Sequence, residues 1–349
     1  MAKKIVICLD GTGNELKAKD ANTNVVALYD LLDLDDPAKQ VAYYDPGVGT
    51  FSAPGAWTPP ARFATRVAGL AFGYGLRTNL AEAYTYLMRV YEPGDRIYLF
   101  GFSRGAYTAR ALAGLVHSIG IFRPGAENLV QYAVSSYVRK DKAKKDWEQL
   151  DYFRWVFSHP APEGMKRIPI EFLGVWDTVK ATGMLRWDQK WPWTRSIVNV
   201  RKVRHAVSID EYRKPYRYYP AVPDDAGDVD PDVYEVWFAG VHSDVGGTFP
   251  DNSDLARITL KWMAQGAYAA GVLMKRKPFF GVCGGVKAAH ARGTVHRMGR
   301  AWRLVGYRRR VVPPGALVHD SVRERLAAGV GYAFTLPDGA TYTDPGWSS

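Results

Sequence analysis

Cysteine is scarce in this chain of 349 residues, which contains only Cys8 and Cys283. Two cysteines so far apart form neither a disulfide framework nor a CxxC metal motif, so we expect both to be buried as small apolar residues. Long apolar runs are lacking too, since no stretch approaches the ~18–20 residues that a membrane-spanning helix needs. The run Ile5–Leu9 is too short for a signal-peptide core and ends at Asp10. We therefore expect a chain made in the cytoplasm, which would reach a membrane only by export without a signal peptide.

Acidic residues are absent from Leu255 to His319, although this segment holds thirteen of the 46 Lys and Arg residues. Basic and acidic residues nearly balance elsewhere, so the formal net charge of +11 arises here. Aromatic residues such as Trp262 and Trp302 are interleaved with the basic ones. This pattern suits a solvated face, an anionic lipid surface or nucleic acid. We expect peripheral contact with an anionic membrane through residues 255–319 and no nucleic-acid partner.

Short apolar segments alternate with helical patterns along the chain. The strands are predicted at Lys4–Leu9, Gln40–Tyr44, Arg96–Phe102, Ile168–Trp176 and Tyr234–Val241, and the main helices at Val25–Leu32, Gly75–Tyr91 and Arg104–Ser118. This alternation predicts an α/β fold of the α/β-hydrolase type, with a mostly parallel central sheet flanked by helices.

Two stretches fit this pattern poorly, at about residues 125–165 and 180–230, and we interpret them as lid or cap insertions. His205 is expected in a helical part of the second one. The catalytic domain is predicted over residues 1–270, with a basic C-terminal extension over residues 271–349 that packs on it and faces the membrane.

The pentapeptide Gly101-Phe102-Ser103-Arg104-Gly105 follows a predicted strand and opens a predicted helix. That context is typical of a nucleophile elbow, in which the serine stands on a sharp turn at the head of the sheet. Gly101 and Gly105 would let strand and helix pass closely. Ser103 is the predicted nucleophile, and the Arg104 N–H at the helix N-terminus is a candidate oxyanion donor. The alternative is a glycine-rich turn whose serine only caps the helix.

The elbow predicts an acid and then a histidine later in the chain. Asp177 and His242 each follow an apolar strand, so the carboxyl ends of parallel strands would bring them to Ser103. His242 would act as the base and Asp177 would orient it. His319 is the rival base, and Asp244 is the rival acid, although we expect Asp244 to brace the loop after His242.

Residues 10–14, Asp-Gly-Thr-Gly-Asn, follow the first predicted strand. Asp10 is expected to support the site, and Gly11 or Thr12 to supply the second oxyanion donor, because hydrolases take it from an early strand–helix loop. A dehalogenase-type phosphatase is excluded, since Cys8 stands where that motif needs aspartate. No P-loop pattern occurs, and we predict no metal and no cofactor.

Taken together, the motifs resemble a known family over about residues 3–265. It is the α/β-hydrolase domain family that includes the phospholipase effectors of the type VI secretion system, in their catalytic domain. The matching segments are Asp10–Thr12, Tyr44–Thr50, Gly101–Ala106, Gly174–Val179, Arg204–Ala206 with Asp210 and Glu211, and Gly240–Gly247. The resemblance implies a triad of Ser103, Asp177 and His242, hydrolysis of glycerophospholipid esters, and a secretion-apparatus or immunity-protein partner.

We therefore predict a serine hydrolase of carboxylic esters, a phospholipase or lipase that works through an acyl-enzyme intermediate. Two alternatives stay open. One is a soluble carboxylesterase or thioesterase with a non-lipid substrate, and the other is a catalytically silent binding protein.

Overall fold

The computed structural model describes residues 2–11, 22–47, 70–139, 143–179, 191–223, 232–299, 302 and 306–348. The strands are β1 Lys4–Leu9, β2 Gln40–Asp45, β3 Arg96–Phe102, β4 Ile170–Trp176, β5 Ser196–Ile197, β6 Val200–Ser208, β7 Val222–Pro223, β8 Asp232–Phe238, β9 Leu317–His319 and β10 Thr341–Thr343. The α-helices are α1 Asn24–Leu31, α2 Leu70–Val90, α3 Arg104–Ile119, α4 Val130–Val138, α5 Lys144–Phe157, α6 His242–Gly246, α7 Asp254–Ala269, α8 Arg276–Gly285 and α9 Asp320–Ala327.

Eight of these strands form one sheet in the order β2-β1-β3-β4-β6-β8-β9-β10. Each pairing within it runs parallel. The prediction of an α/β-hydrolase type of fold with a mostly parallel sheet flanked by helices is confirmed. Because parallel strands end at the same edge, the residues that follow β3, β4, β6 and β8 lie along one side of the molecule.

Strand β1 shows how both faces of the sheet are covered. Its side chains alternate, with Ile5, Ile7 and Leu9 in one apolar core and Val6 and Cys8 in another. The first core is built with α2 and α3, and the second with α1 and α7. Burial on both faces explains why β1 is an unbroken apolar run rather than an alternating one.

The prediction that His205 lies in a helical stretch is wrong, because His205 belongs to the central strand β6. Strand β6 runs between β4 and β8, inside the stretch interpreted as a second insertion. The spacing of Val200, Val203 and Val207 favours a helix when the sequence is considered alone. In the structure all three side chains are buried. The sheet overrides this local pattern by pairing β6 on both sides.

The segment after residue 270 extends the sheet. Strands β9 and β10 continue it beyond β8, and Val318 and Val322 pack with Trp237 of β8.

Residues 125–165 contribute α4 and α5, whose buried side chains join the first core. Among the helices that the structure describes, none is both long enough and apolar enough to cross a bilayer.

Candidate active site

Ser103 stands on a strained turn between β3 and α3. Its φ of 59° and ψ of −121° are unusual for a residue with a side chain, and the residue is 5% exposed. A Cβ at Gly101 would lie 2.6 Å from the Gly105 carbonyl oxygen, and one at Gly105 would lie 2.1 Å from that of Leu9. The two glycines are therefore needed for the close packing of strand, helix and β1 around the serine.

Asp177 directly follows β4, the neighbour of β3, and also has a positive φ, of 38°. The Ser103 N–H donates to the Trp176 carbonyl at 3.1 Å, and the Val179 N–H donates to the Ser103 carbonyl at 3.4 Å. These bonds tie the loop after β4 to the elbow. Strained backbone at two adjacent strand ends is typical of functional sites.

His242 opens α6 after β8 and meets Asp177. Its Nδ1 lies 2.5 Å from Asp177 Oδ2, and its ring stacks on Phe102, the residue before Ser103, with ring centroids 4.6 Å apart. A Cβ at Gly246 would lie 2.0 Å from the Phe102 ring, so that glycine lets α6 approach the elbow. Three strand ends thus bring Ser103, Asp177 and His242 to one place.

The Asp177 carboxylate has two further partners. Its Oδ1 accepts the Ser208 N–H at 2.9 Å, and Arg310 donates to both oxygens, at 2.5 Å from Nη1 and 3.0 Å from Nη2. Burial alone would raise the pKa of Asp177, but Arg310 and His242 outweigh it and hold that pKa far below its usual range. Asp177 is therefore a fixed, ionised acceptor for the histidine.

A buried polar cluster lies behind Asp177. The Thr178 N–H donates to His205 Nε2 at 3.1 Å, and His205 Nδ1 lies 2.7 Å from Glu235 Oε2. Since Nε2 accepts, the proton of the neutral ring belongs on Nδ1 and is donated to Glu235. Burial and the Arg110 guanidinium lower the pKa of His205. His205 thus positions the loop that carries Asp177.

His242 is buried, and residues other than Asp177 also hold it in place. Burial lowers its pKa below 6.5, although Asp177 acts to raise it. The backbone N–H of His242 donates to Glu211 Oε2 at 3.2 Å. Arg213 in turn donates to both Glu211 carboxylate oxygens, at 2.9 and 2.8 Å. The ring edge of Tyr216 packs on the His242 ring, with centroids 4.8 Å apart.

The structure describes two of the three candidate oxyanion donors, Arg104 and Gly11. Arg104 is the first residue of α3, so its N–H points out of the helix N-terminus beside Ser103. The Gly11 N–H donates to Asp10 Oδ1 at 2.6 Å, and Thr12 lies outside the described residues. Asp10 Oδ2 accepts from Thr23 at 2.5 Å and from Tyr44 at 3.0 Å, so Asp10 anchors the start of this loop.

The rival residues have other partners. Asp244 accepts the Val241 N–H at 2.9 Å and lies 2.5 Å from His296 Nδ1, so it braces the turn into His242. His319 Nδ1 lies 2.8 Å from Ser321 Oγ at the start of α9, and burial lowers its pKa to about 3. Within the described residues, no cluster of His, Cys, Asp and Glu could hold a metal ion.

Comparison with protein families matches residues 3–266 of the chain to a known family. The matching family is described as the catalytic domain of Tle1-like phospholipase effectors of the type VI secretion system. The chain belongs to this family. Ser103, Asp177 and His242 lie within the part matched to the Tle1-like family, whereas Arg310 lies beyond it.

Individual relatives are longer than this chain. An uncharacterized protein of Saccharomyces cerevisiae is 34% identical over 226 residues, which are 62% of this chain and 32% of that protein. A solved structure of an uncharacterized Pseudomonas aeruginosa protein is 19% identical with a TM-score of 0.41, covering 78% of this chain and 46% of the other. A Tle1 effector bound to the VgrG spike of the type 6 secretion system is 18% identical with a TM-score of 0.30, covering 71% and 51%. The chain spans about a third to a half of the length of these relatives.

Proposed function

We propose that this protein is a serine hydrolase that cleaves carboxylic esters through Ser103, His242 and Asp177. The observation that carries the proposal is the 2.5 Å contact between His242 Nδ1 and Asp177 Oδ2, beside a serine on a strained strand-to-helix turn. An acid on Nδ1 holds the ring in the tautomer whose Nε2 takes up the serine proton.

The reaction follows from these positions. Ser103 Oγ attacks the ester carbonyl while His242 takes the hydroxyl proton, and the Arg104 N–H stabilises the oxyanion. Collapse of the tetrahedral intermediate expels the alcohol, which receives the proton from His242, and leaves an acyl group on Ser103. Water then attacks the acyl-enzyme by the same proton relay and releases the carboxylic acid and the free serine.

A glycerophospholipid is the proposed substrate, with membership of the Tle1-like family as the first support. The second support is the basic segment, which we define as residues 255–319. Within it Phe280 and Val311 are 55% and 74% exposed, and Lys275, Arg276 and Lys277 are exposed beside Phe280. Exposed apolar and cationic side chains together favour contact with an anionic bilayer.

Fatty-acid release from phosphatidylglycerol vesicles tests this proposal, with p-nitrophenyl butyrate as the soluble comparison. We expect release by the wild type, with faster turnover at the lipid interface, and none by Ser103→Ala. Fast turnover of the butyrate with no gain on vesicles would favour the soluble esterase. Equal release by Ser103→Ala would overturn the hydrolase itself.

The acid limb of kcat/KM is expected below pH 6.5. His242 acts as a base only when neutral, and burial lowers its pKa from that value. Activity therefore falls as the pH drops through the lowered pKa and is constant above it, while Asp177 stays ionised. In Arg310→Gln the acid limb is expected at higher pH, because a less neutralised Asp177 stabilises the charged ring more strongly. A wild-type midpoint at or above 6.5 would count against His242 as the base.

Export and a secretion partner form a separate part of the proposal. The Tle1 effector of known structure is bound to a VgrG spike, and a similar assembly would bring this chain to a membrane without a signal peptide. Co-purification with a VgrG protein or an immunity protein from the same genome tests this. If neither associates, the secretion role is lost while ester hydrolysis stands.

A further inference from the structure

A groove opens next to His242 between two segments of the chain. Residues 213, 214, 216–218 and 306–311 line it, and it has a volume of about 600 Å³; we name it the basic groove. That volume is typical of small-molecule pockets, which span about 300–1,000 Å³. Tyr216 belongs to its wall and also packs on the His242 ring, and Arg310 of the same wall bonds to Asp177. The basic groove therefore adjoins the candidate active site through two of its wall residues.

The two walls of the basic groove are bonded to each other. The Lys214 N–H donates to the Gly306 carbonyl at 3.0 Å, and the Arg308 N–H donates to the Tyr212 carbonyl at 2.7 Å. The rings of Tyr212 and Tyr307 stack across the same junction, with centroids 4.9 Å apart. The walls are thus held at a fixed separation by backbone and ring contacts.

Six of the described lining residues are Lys or Arg and none is acidic. Arg213 and Arg310 are neutralised by Glu211 and Asp177. Lys214, Arg217 and Arg308 are exposed, and no carboxylate among the described residues forms an ion pair with them. Three cations that have no counter-charge within the described part of the chain thus border the basic groove.

We infer that the basic groove binds the headgroup phosphate of a glycerophospholipid and so presents the ester carbonyl to Ser103. Lys and Arg make strong charge-assisted hydrogen bonds to phosphate oxygens. In a glycerophospholipid the phosphate and the esters are joined by one glycerol, so a phosphate held in a groove whose wall contacts His242 and Asp177 keeps the ester carbonyls near the candidate active site. The inference rests on the proposed function, since it assigns part of the same substrate.

A comparison of two soluble substrates isolates the contribution of the headgroup phosphate to turnover. Dihexanoyl phosphatidylglycerol below its critical micelle concentration is compared with dihexanoylglycerol, which has the same esters and no phosphate or interface. In the triple variant Lys214→Ala, Arg217→Ala, Arg308→Ala, the ratio of kcat/KM for the phospholipid to that for the diacylglycerol is expected to fall by at least about tenfold, mainly through KM. The wild-type ratio is also expected to fall with added salt, which screens exposed cations.

A matched control removes the same number of charges from surfaces outside the basic groove. Arg89, Lys145 and Lys202 are exposed and do not line the basic groove. In Arg89→Ala, Lys145→Ala, Lys202→Ala the ratio is expected to stay at the wild-type value. An equal fall in both triple variants would show an effect of net charge and overturn the inference.

Binding of the phospholipid to the Ser103→Ala variant tests the basic groove separately from the proposed catalysis, because binding needs no turnover. Calorimetry with dihexanoyl phosphatidylglycerol is expected to show binding that the three groove substitutions weaken by at least about tenfold. Such binding without any hydrolysis by the wild type would refute the hydrolase and keep the groove. Hydrolysis with a ratio that the groove substitutions leave unchanged would refute the groove alone. Inorganic phosphate binding as tightly as the lipid would make it a site for free phosphate and overturn the headgroup assignment.

Discussion

Ser103→Ala and His242→Ala are each expected to lower kcat for ester hydrolysis by about 10⁶-fold. The alanine at position 103 removes the proposed nucleophile, and the alanine at position 242 removes the imidazole that hydrogen-bonds to Asp177. Members of a triad act as a unit, so the double variant is expected to be no worse than either single one. Single-turnover hydrolysis of a soluble ester by the purified variants measures these losses.

A matched control comes from the same helix. Ser118 is a buried serine of α3 whose hydroxyl donates to the Gly114 carbonyl at 2.8 Å, within its own helix. Ser118→Ala is expected to keep kcat within about twofold of the wild type, since only a local helix bond is lost. If Ser103→Ala retained as much activity as Ser118→Ala, Ser103 would be a helix cap rather than a nucleophile.

Asp177→Asn is expected to lower kcat by about 10⁴-fold, because an amide at that position favours the wrong imidazole tautomer. In this protein the change has a second consequence. Arg310 donates to both Asp177 oxygens and would keep a buried charge without its counter-ion, which costs about 3–5 kcal/mol of stability when a buried pair is broken. Kinetics at a temperature where circular dichroism shows the variant folded separates the loss of rate from the loss of fold.

Asp320→Asn serves as the comparison for that variant. Asp320 is also buried and paired with an arginine, Arg323, but it lies at the start of α9 and does not contact His242. Its substitution is expected to lower the unfolding free energy modestly and leave kcat unchanged. An Asp177→Asn enzyme within tenfold of the wild type would contradict the role given to Asp177.

The ends of strands β3 and β4 could be predicted from the sequence, because the composition of each run agrees with its place in the sheet. The run before Ser103 and the run before Asp177 are short, apolar and buried on both faces, so composition alone indicates strands of a parallel sheet. The pentapeptide around Ser103 adds a requirement for small residues that only a tight turn explains. Chain order then directs attention to His242.

Strand β6 was not predictable in the same way. Its basic residues Arg201, Lys202 and Arg204 break the apolar run. Arg204 is half-buried, and its guanidinium packs over Trp262, 4.7 Å from the ring centroid, and donates to the Trp262 carbonyl. That compensation comes from a residue far along the chain. A single sequence carries no local sign of it.

Arg310 was missed for a related reason. It is one of three consecutive arginines in the basic segment, and the run indicates a charged surface. In the structure Arg309 is exposed, whereas the Arg310 side chain is 5% exposed and bonds to Asp177 and Ser208. The pairing of residues 211–214 with 306–310 turns one side chain of the run inward, and no spacing rule distinguishes it from its neighbours.

Labelling with a fluorophosphonate probe, followed by mass spectrometry of the digested protein, tests the central claim most directly. The probe reacts only with a serine that a neighbouring base activates. We predict one covalent adduct, on Ser103, in the wild type, and none on that residue in His242→Ala. A folded wild-type protein that leaves Ser103 unlabelled, or that is labelled equally well without His242, would contradict the account.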